Sequence, residues 1–264
     1  MKFLKLLIIT SFITCGGFAK EKKQEITLYG DNSYPPYSYL DENQKLVGIY
    51  PEILKEAFKL LPDYKLQLKP VPWKRGLKLL KKGKITGLFP PYFRAVERAY
   101  IWPYSLAILE EEVVVVCNDT KKLKNLDQWP NDFIGLTVGR NRGFSTGGDV
   151  WLKLIKKKKI IDLEVDSIDS GLIMLSKKRA DCYMNDRISI FWALKNLVKA
   201  KKVTKELAKS IKERAIISRE RGFVGYSDKW NDAKKMDIVK KIDHAIHLVR
   251  KTGKIAEIQQ KYSN

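Results

Sequence analysis

From Ile26 onward, short runs with strand character alternate with amphipathic helical runs, and this alternation confines the chain to an α/β protein whose mainly parallel strands are covered by helices. Residues 26–31 (ITLYGD) read as a strand. Residues 51–61 read as a helix that places Ile53, Leu54, Ala57, Phe58 and Leu61 on one face, with Pro51 suited to a first turn. A strand over 64–69, a helix over 72–82 ending at Gly83, and a strand over 85–89 follow. The same grammar then starts again: strands at 111–117 and 133–139, helices near 145–157 and 168–178, a strand at 181–185 and a helix over 186–199. Residues 222–227 return in extended form, and helices over 230–250 and 252–262 finish the chain. Two series predict two lobes, residues 20–111 plus 227–264 and residues 112–226, with hinge crossings near 110–114 and 222–227. A ligand would lie between them, at the carboxyl ends of strands.

The first nineteen residues have the pattern of a signal sequence: Lys2 and Lys5 precede a short apolar core, Leu6–Ile13, and Gly17-Phe18-Ala19 offers small residues before a cut that would leave Lys20 first. That core is too short to span a bilayer. A lipid anchor on Cys15 is the competing reading, with Phe12-Ile13-Thr14 a poor fit to the residues that precede a lipoprotein cysteine. The formal charge is +21, and it remains +19 once Lys2 and Lys5 are removed. The basic residues are scattered over solvated helix faces without a nucleic-acid-binding signature, so nucleic acid is not an expected partner. A lysine-rich solvated surface suffices to explain the charge, and attraction to anionic envelope surfaces or acidic solutes is its natural consequence. Cys117 and Cys182 remain after processing; they can pair in an oxidising compartment or serve as two small buried apolar residues.

The segment DNSYPPYSYLDENQKLVG, residues 31–48, packs prolines and tyrosines directly after the first strand, a stiff aromatic loop where pocket walls are commonly built. It resembles the opening of the type II periplasmic amino-acid-binding proteins, the extracellular solute-binding family 3 of polar amino acid importers. WKRGLKLLKKGKITGLF, VERAYIWPYS, KKRADCYMND and RKTGKIAEIQQKYS are similar, in order, to further segments of that family, so the resemblance covers essentially the whole mature chain. It implies a two-lobed periplasmic binding protein type II fold, each lobe a mainly parallel sheet flanked by helices. It also implies a periplasmic protein, monomeric and without cofactor or catalytic residues, that captures a small polar solute for the membrane permease of an ABC importer.

By the same resemblance Arg98 falls where the family clamps a ligand carboxylate, for which a guanidinium offers two parallel hydrogen bonds. A surface ion pair with Glu97 or Glu110 is its alternative role. Asp186 falls on the ammonium acceptor, although an aspartate there can also simply cap the following helix. Gly143-Phe144-Ser145-Thr146 matches the family's glycine-hydroxyl turn, whose backbone N–H groups would meet the carboxylate at a helix start. Asp31, Tyr34, Tyr37, Trp73 and Tyr92 complete the expected ligand-binding set. The chain departs from the family at Thr86, where an aspartate is usual, and at Pro91-Tyr92-Phe93-Arg94-Ala95, where a backbone donor and a hydroxyl are lost. These changes point to a ligand other than a standard amino acid.

Rival readings share the chain. Gly143-Phe144-Ser145-Thr146-Gly147 has the form of a nucleophile elbow, but Arg140, Asn141 and Arg142 intervene after the strand, and His244 and His247 lie on a terminal amphipathic helix rather than in a base-delivering loop. No metal-ligand spacing occurs. A dehydratase for cyclic carboxylates would resemble the same fold and use Asp186 or Asp31 as its proton carrier. A sensory module docking on a membrane receptor would differ only in its partner.

Overall fold

The computed structural model describes residues 23–120, 123, 125–144 and 146–263. The expected signal sequence, with Cys15, lies outside the described residues. Two five-stranded sheets organise the chain. The first has the order β5 (Tyr64–Val71), β1 (Gln24–Asp31), β6 (Gly87–Phe89), β13 (Gly225–Ser227), β7 (Ile101–Tyr104). The second has the order β10 (Ile161–Val165), β9 (Thr137–Asn141), β11 (Cys182–Asp186), β8 (Leu109–Asn118), β12 (Ile211–Gly222). A small antiparallel sheet of β2 (Ser33–Tyr34), β3 (Ser38–Leu40) and β4 (Leu46–Val47) carries the aromatic loop. Each large sheet is parallel except for one strand. β13 runs against β6 and β7, and β8 runs against β11 and β12. Those two strands follow the passages of the chain from one lobe to the other, so each enters its new sheet from the hinge side, against its neighbours.

The helices form where apolar spacing gives them a face to bury. In α1 (Ile49–Lys59), Ile49, Tyr50, Ile53, Leu54, Ala57 and Phe58 are buried, and α7 (Lys235–Lys251) and α8 (Lys254–Ser263) pack on it. In the first lobe α2 (Trp73–Lys81) also buries Leu80. In the second, α3 (Gly148–Lys156) buries Trp151, while α4 (Ile168–Ser176) starts at Ser167 and α5 (Arg187–Lys199) at Asp186, each capped by that side chain. A short α6 (Lys205–Ser210) leads into β12.

Several local expectations change. The strand expected at 133–139 starts at Thr137, because residues 131–133 form a 3-10 turn and Gly135 takes a φ of +84°. β12 was not expected as a strand: it is an edge strand of charged residues, and irregularities between Glu213 and Ala215 and between Ile216 and Ser218 break its alternation. Residues 110–114 lie inside β8, where the valine run pairs on both sides, rather than in a crossing. The chain changes sheet over residues 105–108 and 223–224 instead. These two passages are tied together: Ser105 N donates to Val224 O (2.8 Å), Val224 N to Ser105 Oγ (2.8 Å), and Ile108 N to Gly222 O (2.8 Å). Cys117 and Cys182, opposite one another on β8 and β11, form a disulfide.

Candidate functional site

The parallel strands of both sheets end at a common cleft. β1 ends on Asp31, with Tyr34 just beyond; β5 leads into Trp73; β6 leads into Pro90 and Tyr92, with Arg94 and Arg98 on the segment that follows; and β9 leads into Phe144 and Thr146. These residues line one cavity, seven from the first lobe and the last two from the second. Tyr34 and Phe144 meet across it edge to face at 5.6 Å between ring centroids. Arg94 joins the lobes through a paired contact with Glu220 on β12, at 2.9 and 2.7 Å.

The polar equipment of the cavity is sparse and charged. Arg98 is buried, with its guanidinium 5.7 Å from the centroid of the Trp73 ring. Burial lowers its pKa, and the nearby Tyr100 and Tyr104 oppose that. Asp31, 3% exposed, accepts the Ser33 N–H at 3.0 Å, but burial dominates and raises its pKa from 3.8 to about 7. Thr146 donates its hydroxyl to the sulfur of Met184 at 3.6 Å.

Behind the aromatic wall lies a second, deeper group. Glu111, on β8, is 1% exposed and accepts three phenols from three separate elements of the first lobe. Tyr34 donates to Oε2 at 2.5 Å, Tyr92 donates to Oε2 at 2.7 Å, and Tyr50 of α1 donates to Oε1. Gly222 makes room for this arrangement, since a Cβ there would collide with the Tyr50 hydroxyl. Asp186 is also 1% exposed; its Oδ1 accepts the Ser189 N–H at 2.8 Å, while Oδ2 has no hydrogen-bond partner. The Tyr37 hydroxyl approaches Asp186 without closing a hydrogen bond. Burial, reinforced by the charge of Glu111, raises the Asp186 pKa well above the carboxylate range, and burial raises that of Glu111 against the pull of its three phenols.

Of the expected residues, Asp31, Tyr34, Trp73, Tyr92, Arg98 and Phe144 come together on the cavity wall. Tyr37 is buried beneath Tyr34, stacked on it at 5.1 Å, and Asp186 sits deeper still as the cap of α5. Ser145 lies outside the described residues. Glu110 faces Arg221 on β12. Thr146, part of the expected glycine-hydroxyl turn, also lines the cavity, whereas Pro90, Arg94 and Glu111 are not among the expected site residues. Glu111 had a signal: in Leu109-Glu-Glu111-Glu-Val113 it occupies an inward position of the strand's alternation, where an acid demands buried partners. Residues 142–147 separate β9 from α3, where an elbow requires a tight strand-turn-helix junction, and His244 and His247 are exposed on α7. Among the described residues there is no cluster able to hold a metal ion and no helix long and apolar enough to cross a membrane.

A sequence model described as bacterial extracellular solute-binding proteins, family 3, matches residues 26–264. No curated protein matches the chain. Among solved structures, a histidine kinase sensor domain with similarity to periplasmic binding proteins superposes with a TM-score of 0.72 at 15% identity, covering 91% of this chain and 96% of its own. An ancestral arginine-binding protein bound to arginine gives 0.68 at 20% identity, covering 92% and 99%. The ancestral amino acid-binding protein AncCDT-1, a precursor of cyclohexadienyl dehydratase, gives 0.67 at 14% identity, covering 91% and 95%. These likenesses establish the two-lobed type II binding-protein fold.

Proposed function

The chain belongs to the bacterial extracellular solute-binding proteins, family 3, and from that premise we propose that it is an exported protein that captures a small zwitterionic or carboxylate-bearing solute between its lobes for a membrane partner. The observation that carries this reading is the placement of Arg98: a buried guanidinium, braced on Trp73, forms part of a cavity wall between the lobes. A carboxylate is the group that a buried, two-pronged donor recognises best. Asp31, on the same cavity, supplies the opposite charge for an amino group, and Asp186 behind Tyr37 supplies a second acid. Phe144 and Thr146 would close over the solute from the second lobe, next to the start of α3. The two passages at 105–108 and 223–224 would act as hinges, each absorbing rotation while the sheets stay rigid. The disulfide supports residence in an oxidising compartment.

The partner would be the permease of an ABC importer, with a membrane sensor as the second reading, favoured by the likeness to a sensor domain that covers 91% of this chain. A thermal-shift screen of residues 20–264 against amino acids, short peptides, polyamines, small carboxylates and sugar acids tests the reading, because a solute that binds only the folded state raises Tm. A saturable shift with the solute recovered unchanged is expected. Conversion of a solute into product would replace binding with dehydratase-like catalysis.

A further inference from the structure

We infer that Glu111 is a positioning residue that sets which solutes this cavity accepts, by holding the Tyr34 and Tyr92 phenols away from the solute so that the wall presents ring rather than hydroxyl. The inference rests on the capture reading above and deepens it to a solute class. Tyr34 and Tyr92 both line the cavity, and both spend their single phenolic proton on Glu111 Oε2, at 2.5 and 2.7 Å. Their oxygens are 3.1 Å apart, so the one carboxylate oxygen gathers both hydroxyls at one point behind the wall. Tyr50 anchors the other carboxylate oxygen from α1, and Glu111 itself sits on β8 three residues past the first hinge passage. A carboxylate with only acceptor sites is the side chain that can take all three donors at once.

The consequence for a solute follows from counting what is left. With the phenolic protons engaged and the Thr146 hydroxyl turned to Met184, the side-chain donors among the described lining residues reduce to the indole N–H of Trp73 and the guanidinium groups of Arg94 and Arg98. Apart from the Asp31 carboxyl, the remaining surface is apolar: the rings of Tyr34, Trp73, Tyr92 and Phe144, with Pro90. Such a wall serves a zwitterion or carboxylate with a flat apolar body. A solute rich in hydroxyl or amide groups would leave those groups unpaired, which is costly in a buried site.

The test compares L-phenylalanine with L-glutamine by titration calorimetry. The two share the head group that Arg98 and Asp31 would hold and differ in the body that the wall meets. The wild-type protein is expected to prefer phenylalanine by at least about tenfold, and Glu111→Gln, whose amide can no longer accept all three phenols, to cut that ratio by about tenfold. Tyr92→Phe keeps the ring and removes a hydroxyl that does not face the solute, so it is expected to leave the ratio within about twofold of wild type, and it carries the test if Glu111→Gln does not fold by circular dichroism. A wild-type preference for glutamine, a Glu111→Gln variant that weakens both solutes equally, or a Tyr92→Phe variant that loses the preference would overturn the inference while leaving the capture reading intact. Binding of neither probe, with other carboxylates bound, would also overturn it. Failure of every member of the wider panel would instead remove the capture reading itself.

Discussion

Asp31→Asn should change how the stability of the empty protein depends on pH, with a sign that follows from burial. The Asp31 carboxyl is 3% exposed, and its pKa is raised from 3.8 to about 7, because desolvation outweighs the N–H groups of Ser33 and Asn32. The folded protein therefore holds a proton that the unfolded chain has already released. Asp31's favourable contribution is fully present below about pH 4 and is lost as pH rises through 7. Each pKa unit corresponds to about 1.4 kcal/mol, so the wild-type protein should lose about 4 kcal/mol from this group between pH 4 and 8. Asparagine is neutral throughout and cannot contribute that slope. Glu111 and Asp186, also raised by burial, tilt the curve in the same direction in both proteins, so the difference between the two isolates Asp31. Urea unfolding at pH 4.5, 6, 7.5 and 8.5, without ligand, provides the comparison. The variant should gain on the wild type as pH rises, by up to about 4 kcal/mol at pH 8.5. Parallel curves for the two proteins across this window would refute the argument that the Asp31 carboxylate is buried without a compensating cation.

Three other outcomes are expected. Arg98→Ala should weaken solute binding tens-fold or more with the fold retained, since a charge-assisted hydrogen bond is worth about 1.5–3 kcal/mol; an unchanged calorimetric affinity would take Arg98 out of the site. Replacing Cys117 and Cys182 together by serine opens a loop of sequence separation 65 and should cost about 4 kcal/mol in urea unfolding, whereas a loss under about 1 kcal/mol would mean that the denatured chain is already constrained. Gly222→Ala would set a methyl group against the Tyr50 hydroxyl and 2.7 Å from its Cζ, and should destabilise by about 1–3 kcal/mol; a Tm equal to wild type would show that the Tyr50–Glu111 contact can shift freely.

Much of the fold was legible because α1, α2, α4, α5 and the buried strands carry strong periodic patterns with clear stops. Where the pattern was absent, reading failed for identifiable reasons. β12 is an edge strand whose outward residues are charged and whose two irregularities erase the period of two. β10 is illegible in the same way: its residues, IDLEV, mix acids with aliphatics at an edge, and only their register with β9 reveals the strand. The hinge passages were displaced because a change of sheet leaves no mark in composition; it shows only in which strands the flanking residues pair with.

The site divides along the same line. By itself the sequence determined which chemical groups stand at the ends of the strands: Asp31 and the tyrosine loop after β1, Trp73 after β5, Tyr92 and Arg98 after β6, Phe144 after β9. Local pattern suffices for that, since a residue's place relative to its own strand is a short-range property. Only the tertiary structure decided which of those groups share a cavity, and which serve behind it. Asp186 is drawn inward because its first oxygen caps α5, and Glu111 becomes the anchor of three phenols brought from positions 34, 50 and 92. The physical reason is that a buried charge is tolerable only beside partners that satisfy it, and those partners come from elements far apart in the chain that meet only when both sheets have formed.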